Sequence, residues 1–553
     1  MAIKKRRKDK KRQLPETLLK AWLRKDFVHE KGKPLIFKNL RIGKLFSRIF
    51  EGAFGPKGNY KLLVDKTGNV TIANDGAIIA RELEIYHPVA SVMAESAKTV
   101  NMEVGDGTKT AVILTGKLLE EAEKLLELGL HPQVIAKGYN YCLRKCLEIL
   151  DKIAERFDPM NDRMIQQVAL TALSKLPLNK DELTRLAEMV KNTALKCVEK
   201  RGNSYLFRVE RVIVESVPSG TILDSEYFDG VILKRTTIEQ VPKKVNNAVV
   251  AVLNFPLGIQ KSRYETQIFM KDLTQVSSFI NEEKRLVKSM VDKLRDLGVT
   301  AIFCRKGFSD LAKHYLRKNH ILSVEWLSAR ELEKVAEATG AKIVSSIDSL
   351  RKEDLGTAKF IQETIVGGYR FIYIGNPENL PEASKTASLM IRGASKHITD
   401  LLKETINDAL WAVKNYLQES RVLPGGGATE IEIARRLRRD LGLLSGKMQL
   451  TVSAYANVLE YIPRILSRNA GMDDLEILTK LRSMHANGAI RAGVDVLRKR
   501  TFEDMIAEGV VEPLSIKRQV LKTATEVANA ILTVDDMIAS TKREVIRVRE
   551  SKK

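Results

Sequence analysis

Cysteine is scarce in this 553-residue chain: there are four, Cys142, Cys146, Cys197 and Cys304. That number cannot frame a disulfide-stapled fold. Cys142 and Cys146 are spaced to share a helix face, but no paired Cys/His motif accompanies them, so all four read as reduced core thiols. Histidine is also sparse, with seven scattered residues; neither a Ser/His/Asp triad nor a metal cluster can be assembled from them. Aromatic residues make up 6% of the chain against 44% hydrophobic residues in all, which suits globular aliphatic cores. No stretch nears the roughly 18 apolar residues of a membrane-spanning helix. The basic N-terminus also lacks the apolar centre of a secretory signal. The expectation is a cytoplasmic protein with no membrane partner.

What the chain has in excess is positive charge. Its net charge is +23, and +13 of that falls in residues 1–50, where 17 Lys/Arg stand against four Asp/Glu. "MAIKKRRKDKKR" carries eight basic residues and one acidic residue. Such a run reads either as a solvated tail or as a grip on nucleic acid or an acidic partner through counterion release. It shows no aromatic interleaving and no recognised RNA-binding motif.

The length implies about three or four domains. Apolar spacing predicts an amphipathic helix over 36–52, ending in "GAFGPKG". "KLLVDKTGNVTI" reads as a hairpin, and Asn74 or Asp75 can cap a short helix after it. Long helices follow at about 108–128 and in "GYNYCLRKCLEILDKIAERF". The texture changes after about 156. Between about 220 and 366, β-rich runs such as "NNAVVAVLNFPL" and "VTAIFCRKG" alternate with helices, the pattern of an α/β domain. The Gly pair in "VGGYRFIYIG" is a candidate hinge. Helices return at 395–419 and 428–441 and dominate to the end. The order helical, mixed, α/β, mixed, helical is what nested domains produce.

Three glycine-rich loops carry the candidate chemistry. In "GDGTKT", Gly105 and Gly107 let backbone N–H groups approach an anion. Asp106 supplies the oxygen ligand that Mg²⁺ prefers. Thr108 and Thr110 open a helix whose unpaired N–H groups favour phosphate. Taken alone, the same letters also describe a glycine turn with threonine caps. "GPKG" (55–58) is a helix stop and turn as well as a candidate phosphate loop. "PGGGATE" (424–430) is either a linker or a close approach to a ligand. Asp75 and Asp408, on local sequence, read as a cap and a solvated helix residue.

In order along the chain, "GPKG", "NDGA", "GDGTKTAV", "PGGGATE" and "AGVDV…EGVVEP" resemble the chaperonin family, in particular its group II branch of archaeal thermosomes and the eukaryotic cytosolic chaperonin. The segment "IYHPVASVMAESAKTVNMEVGDGTKTAVILTG" and the later "FCRKGFSDLAKHYL" and "EVANAILTVDDMIA" carry the likeness over about residues 36–540.

The resemblance implies a multidomain chaperonin fold. It comprises a mainly helical equatorial domain (1–156 with the basic tail 1–35, and 413–553), a mixed α/β intermediate domain (157–219 and 367–412) and an α/β apical domain (220–366). A helical protrusion at about 264–286 would serve as a built-in lid, so no separate lid protein is expected. It implies an ATP hydrolase, with ATP and Mg²⁺, that joins other chaperonin subunits in a homo- or hetero-oligomeric double ring and encloses unfolded proteins. By position, Gly55, Pro56 and Gly58 match the family's phosphate loop, Asp106 its Mg²⁺ ligand, and Gly107, Thr108 and Thr110 its phosphate contacts. Gly426 and Gly427 match residues near the nucleoside. Glu512 matches the residue at the ribose, and Gly493 and Asp495 fall beside the base. Asp408 matches the aspartate that orients the attacking water, Asp75 its equatorial partner, and Lys175 the lysine of a nucleotide-sensing loop.

The chain departs from the family at several points. Its usual three threonines read Thr108-Lys109-Thr110 here, so Lys109 either adds a cation near the phosphates or points away. The family's "RGGT" reads "RGAS" at 392–395, and the sensing loop is one residue shorter. The family's N-terminal stretch pairs with neighbouring subunits, and the basic stretch ending at Phe27 does not look like that strand. The basic N-terminal run and Lys109 motivate a second reading, a ring subunit with weak or lost hydrolysis and a structural or RNA-binding role.

Overall fold

The computed structural model describes residues 27–540, apart from 65–67, 69, 84, 86, 203, 259–272, 378–385 and 445. The basic run at the N-terminus lies outside the described residues, as does the first part of the expected lid protrusion, 264–272.

The helices Lys33–Glu51, Pro88–Val104, Thr108–Glu127 and Pro132–Ile153 from the first third of the chain pack with Lys447–Leu459 and Leu514–Leu532 from its end. The helix Lys33–Glu51 lies so close on Thr108–Glu127 that a Cβ on Gly116 would stand 1.9 Å from Ser47 Oγ. Tyr139 and Tyr455 meet edge to face with ring centroids 5.7 Å apart. Both hydroxyls are satisfied inside the core, Tyr139 donating to Leu118 O and Tyr455 bonding Thr525 Oγ1, as buried phenols require.

A three-stranded sheet (Val212–Val217, Ala387–Arg392, Glu226–Phe228) and the helices Asp162–Leu173 and Lys180–Cys197 form a middle layer. The 24-residue helix Lys396–Glu419 packs on that layer near its start and on Leu514–Leu532 further along, so one rigid rod joins the two.

Farther out lies a seven-stranded mixed sheet. Leu322–Val324, Ala301–Cys304 and Lys244–Leu253 run parallel, then Gly356–Val366, Tyr369–Gly375 and Gly230–Leu233 continue antiparallel; Ile343–Val344 also pairs with Lys244–Leu253. Alternate residues of one strand feed two cores, Val250 and Val252 on one face and Ala251 and Leu253 on the other. The helix Leu273–Asp296 covers the second face through Val287, Val291 and Leu294.

One sequence expectation changes here. Gly367 and Gly368, read as a hinge, are the two-residue turn of the hairpin Gly356–Val366/Tyr369–Gly375. Their φ values of +57° and +82° are those the tight turn demands. A glycine pair serves either purpose, and the β-rich flanks decide for the turn. After the basic stretch, which lies outside the described residues but for Phe27, the segment Phe27–Lys31 forms a strand antiparallel to Asp536–Ser540.

Candidate functional site

Four segments distant in sequence meet at the start of the helix Thr108–Glu127. The chain turns at Gly55, whose φ is +78°, and Gly58 N donates to Gly55 O. A Cβ on Gly58 would lie 2.4 Å from the Ala53 carbonyl carbon, so only glycine allows the loop to close this tightly. Asp75 caps the short helix Gly76–Glu82, accepting from Ile78 N at 2.9 Å. Gly105 and Gly107 both take left-handed backbone, and Asp106 between them accepts from Gly107 N through Oδ1 at 2.7 Å. Among the described residues Asp106 makes no ion pair, which leaves its charge for an added cation.

Lys109 turns onto two neighbouring loops. Its Nζ donates to Ala53 O (2.8 Å), Asn74 O (2.9 Å) and Asn74 Oδ1 (2.8 Å). The lysine therefore stitches the turn leading into the 55–58 loop to the turn before Asp75. Burial and the nearby Lys175 push its pKa down to about 8, against the pull of Asp75, Asp106 and Asp408.

Asp408 arrives from the middle layer on the helix Lys396–Glu419 and is 7% exposed. Its Oδ2 pairs with Lys175 Nζ. Lys175 follows the helix Asp162–Leu173, and its carbonyl accepts from Tyr60 OH. Burial and the neighbouring Asp75 and Asp106 drive the Asp408 carboxyl well above the ordinary aspartate range, while Lys175 opposes that rise. The same three carboxylates hold Lys175 charged despite its burial. Thus Asp75, Asp106 and Asp408 share one electrostatic environment, with two lysines among them. Beside it opens a cleft of about 240 Å³, lined by Tyr60, Asn74, Asp75, Lys175, Lys403 and Glu404 among others.

A second cluster adjoins the first. The strand Arg421–Pro424 runs into Gly425–Gly427 and the helix Ala428–Arg439. Gly426 O accepts from Val494 N, and a Cβ on Gly426 would stand 2.5 Å from Val494 O, so this loop lies flat on the strand Gly493–Asp495. Asp495 is occupied locally: its Oδ1 accepts from Leu497 N and Arg498 N in the turn of its own hairpin. Glu512 stands opposite Leu423 in an antiparallel pair. Lys517, 5% exposed, reaches both Glu430 Oε1 (2.5 Å) and Glu512 Oε2 (2.6 Å). Burial raises the Glu512 pKa and Lys517 counters it, with Asp106 adding to the rise from the first cluster.

The sequence did not single out several residues that hold these parts in place. The helix Tyr461–Asn469 braces both loops. Leu466 fills the space a Cβ on Gly55 would take, and Pro463 the space of one on Gly427. Asn469 Nδ2 donates to Glu51 O and Phe54 O. Trp411, one turn after Asp408, lies where a Cβ on Gly105 would stand, 2.1 Å from its Cγ. Lys517 and Glu430 have partners too far away in sequence for any local pattern to mark them.

The residues fit magnesium and a phosphate chain. Asp106 offers a hard-oxygen carboxylate that makes no ion pair among the described residues, beside a helix start with a left-handed glycine before it and two further glycine loops closed against backbone.

Comparison with known proteins places the chain among large relatives. The profile of the TCP-1/cpn60 chaperonin family matches residues 46–542. A thermosome subunit of Methanopyrus kandleri is 38% identical over 503 residues, covering 91% of each chain. The thermosome subunit alpha of Aeropyrum pernix is 38% identical over 510 residues, 92% of this chain and 91% of that one. The thermosome subunit gamma of Saccharolobus solfataricus is 36% identical over 520 residues, 94% and 96% respectively. None of these comparisons supports a mainly structural or RNA-binding subunit.

Proposed function

This chain belongs to the TCP-1/cpn60 chaperonin family, in its group II branch, and on that premise we propose that it is an ATP-hydrolysing folding-chaperone subunit of a double ring. One observation carries the reading: Asp75, Asp106 and Asp408, from three separate segments, gather around Lys175 at a glycine-gated helix start.

The roles follow from the positions. Magnesium, held through Asp106 and phosphate oxygens, would neutralise the charge of the triphosphate. The backbone of Gly55, Pro56 and Gly58 and the helix start at Gly107, Thr108 and Thr110 bind the phosphates. Gly426, Gly427 and Glu512 take the nucleoside, with Gly493 and Asp495 shaping the base end. Asp408 orients water with Asp75 beside it. Lys175 pairs with Asp408, which the middle layer carries, so hydrolysis depends on how that layer sits. The division into equatorial, intermediate and apical parts, with 264–286 as lid, belongs to the same proposal.

Assembly is supported by the hairpin Lys61–Val64/Val70–Ala73. Its Leu62 is 66% exposed and Val64 61%, an apolar two-stranded ribbon that is not self-sufficient in water. The ladder Phe27–Lys31/Asp536–Ser540 offers open edges for such a ribbon from a neighbouring subunit. Native mass measurement and imaging of the purified chain, with and without Mg-ATP, test this. Stacked rings that bind an unfolded client are expected; a monomer in every condition would overturn the proposal.

The depressed Lys109 pKa gives a second check on the site. Below pH about 7 the ammonium is already charged, and nucleotide binding takes up no proton there. Above pH about 8 part of the population is neutral, and a phosphate anion nearby favours the charged form. Binding of ADP at pH about 8.5 is therefore expected to take up protons, read calorimetrically as a binding enthalpy that depends on buffer ionisation. The uptake disappears in Lys109→Met. Uptake that persists unchanged in that variant assigns the proton to another group.

A further inference from the structure

Three buried lysines sit in or beside the site, and one differs from the others in its partners. Lys175 faces the carboxylate of Asp408, and Lys517 faces those of Glu430 and Glu512. Lys109 makes all three of its hydrogen bonds to neutral oxygens of the carbonyl type: Ala53 O, Asn74 O and Asn74 Oδ1, at 2.8, 2.9 and 2.8 Å. An ammonium has three donors, so these acceptors saturate it. They come from two loops, 56 and 35 residues away in sequence, and converge on a single point. Carbonyl-type oxygens converging in this way are the donors that replace the hydration shell of a potassium ion.

The side chain is threaded tightly to that point. A Cβ on Gly76 would stand 2.7 Å from Lys109 Cγ and 2.5 Å from Thr108 Oγ1, so the stem passes through a gap that only glycine leaves open. None of the three acceptors carries charge, and the ammonium's positive field is therefore not cancelled by its own hydrogen bonds. It acts on the helix start at Thr108 and on Asp75, Asp106 and Asp408.

We propose that the Lys109 ammonium is a tethered monovalent cation, filling a cage of three oxygens beside the phosphate site and freeing the protein from any need for dissolved potassium or ammonium. A threonine at this position brings no charge, so the cage would then have to draw its cation from solution. The cage stands on the geometry alone. Its effect on nucleotide binding rests on the reading of the site given above.

The test uses the full chain and the variants Lys109→Thr and Lys109→Met. The salts are potassium, ammonium, sodium and tetramethylammonium chloride at equal ionic strength. The first measurement is the thermal unfolding midpoint without nucleotide. For Lys109→Thr it is expected to rise by about 3 °C or more from tetramethylammonium to potassium, as for any ligand that binds only the folded state. The unsubstituted chain moves by less than about 1 °C between the same salts. Lys109→Met, whose apolar stem occupies the cage, gains nothing from potassium. The second measurement is Mg-ADP affinity. Lys109→Thr is expected to lose about tenfold in tetramethylammonium and to recover most of it in potassium or ammonium, while the unsubstituted chain stays within about twofold throughout.

Two results overturn the proposal. One is a Lys109→Thr chain whose melting ignores potassium, which would mean that water fills the cage. The other is an unsubstituted chain that itself requires potassium. If the unsubstituted chain binds no Mg-ADP in any salt, the nucleotide reading fails, and the melting series still decides the cage.

Discussion

Asp408→Asn is expected to lower ATP turnover by about a hundredfold or more, the usual contribution of a positioned proton-handling group, with Mg-ATP affinity within about threefold. Asparagine keeps an oxygen for Lys175 and removes the charge that would hold the attacking water. The phosphate contacts assigned above lie elsewhere, on the 55–58 loop and the start of Thr108–Glu127, so binding should survive. Single-turnover hydrolysis and equilibrium nucleotide binding, measured on the same preparation, separate the two effects. Turnover within about threefold of the parent would remove Asp408 from the mechanism. Equal loss of binding and turnover would instead make it part of the binding site. The variant is also informative about placement. Asp408 and Trp411 lie three residues apart on one helix, and Trp411 is seated on Gly105, next to Asp106. The helix therefore cannot carry Asp408 away without also lifting the tryptophan off the loop of the proposed metal ligand.

Lys517→Met is expected to cost about 3–5 kcal/mol, the penalty for stranding a buried charge when its partner is removed. Glu430 is 2% exposed and loses its partner in this variant; Glu512 is only half-buried and can turn to water. For a unit of this size the unfolding midpoint should fall by roughly 10 °C. The double variant Lys517→Met with Glu430→Gln should recover part of the loss, because the stranded carboxylate is gone. A midpoint within about 2 °C of the parent in the single variant would show that the pair contributes little.

The helical and mixed textures of the chain were readable because apolar spacing is a local property. The helix expected at about 108–128 is Thr108–Glu127, and the hairpin expected in "KLLVDKTGNVTI" is Lys61–Val64/Val70–Ala73. Asp75 was one of two candidate caps, and it is the cap. Glycine loops announced themselves because left-handed backbone excludes most other residues. What stayed hidden depends on long-range convergence. The fate of Lys109 is decided by carbonyls on two other loops, which no window around residue 109 contains. The burial of Lys517 depends on Glu430, 87 residues away. The helix Tyr461–Asn469 gave no signal of its role, since Leu466 and Pro463 are ordinary core residues until glycines elsewhere leave them room. Gly367–Gly368 was misread because a turn and a hinge ask for the same residue. The strand Phe27–Lys31 was missed because its partner lies at the other end of the chain.

The pairing of Phe27 with Ser540 brings positions 513 residues apart onto one two-stranded ladder. Adjacent strands lie about 4.8 Å apart and each satisfies the other's backbone groups. Neither strand can therefore open alone: a change that loosens one frees both.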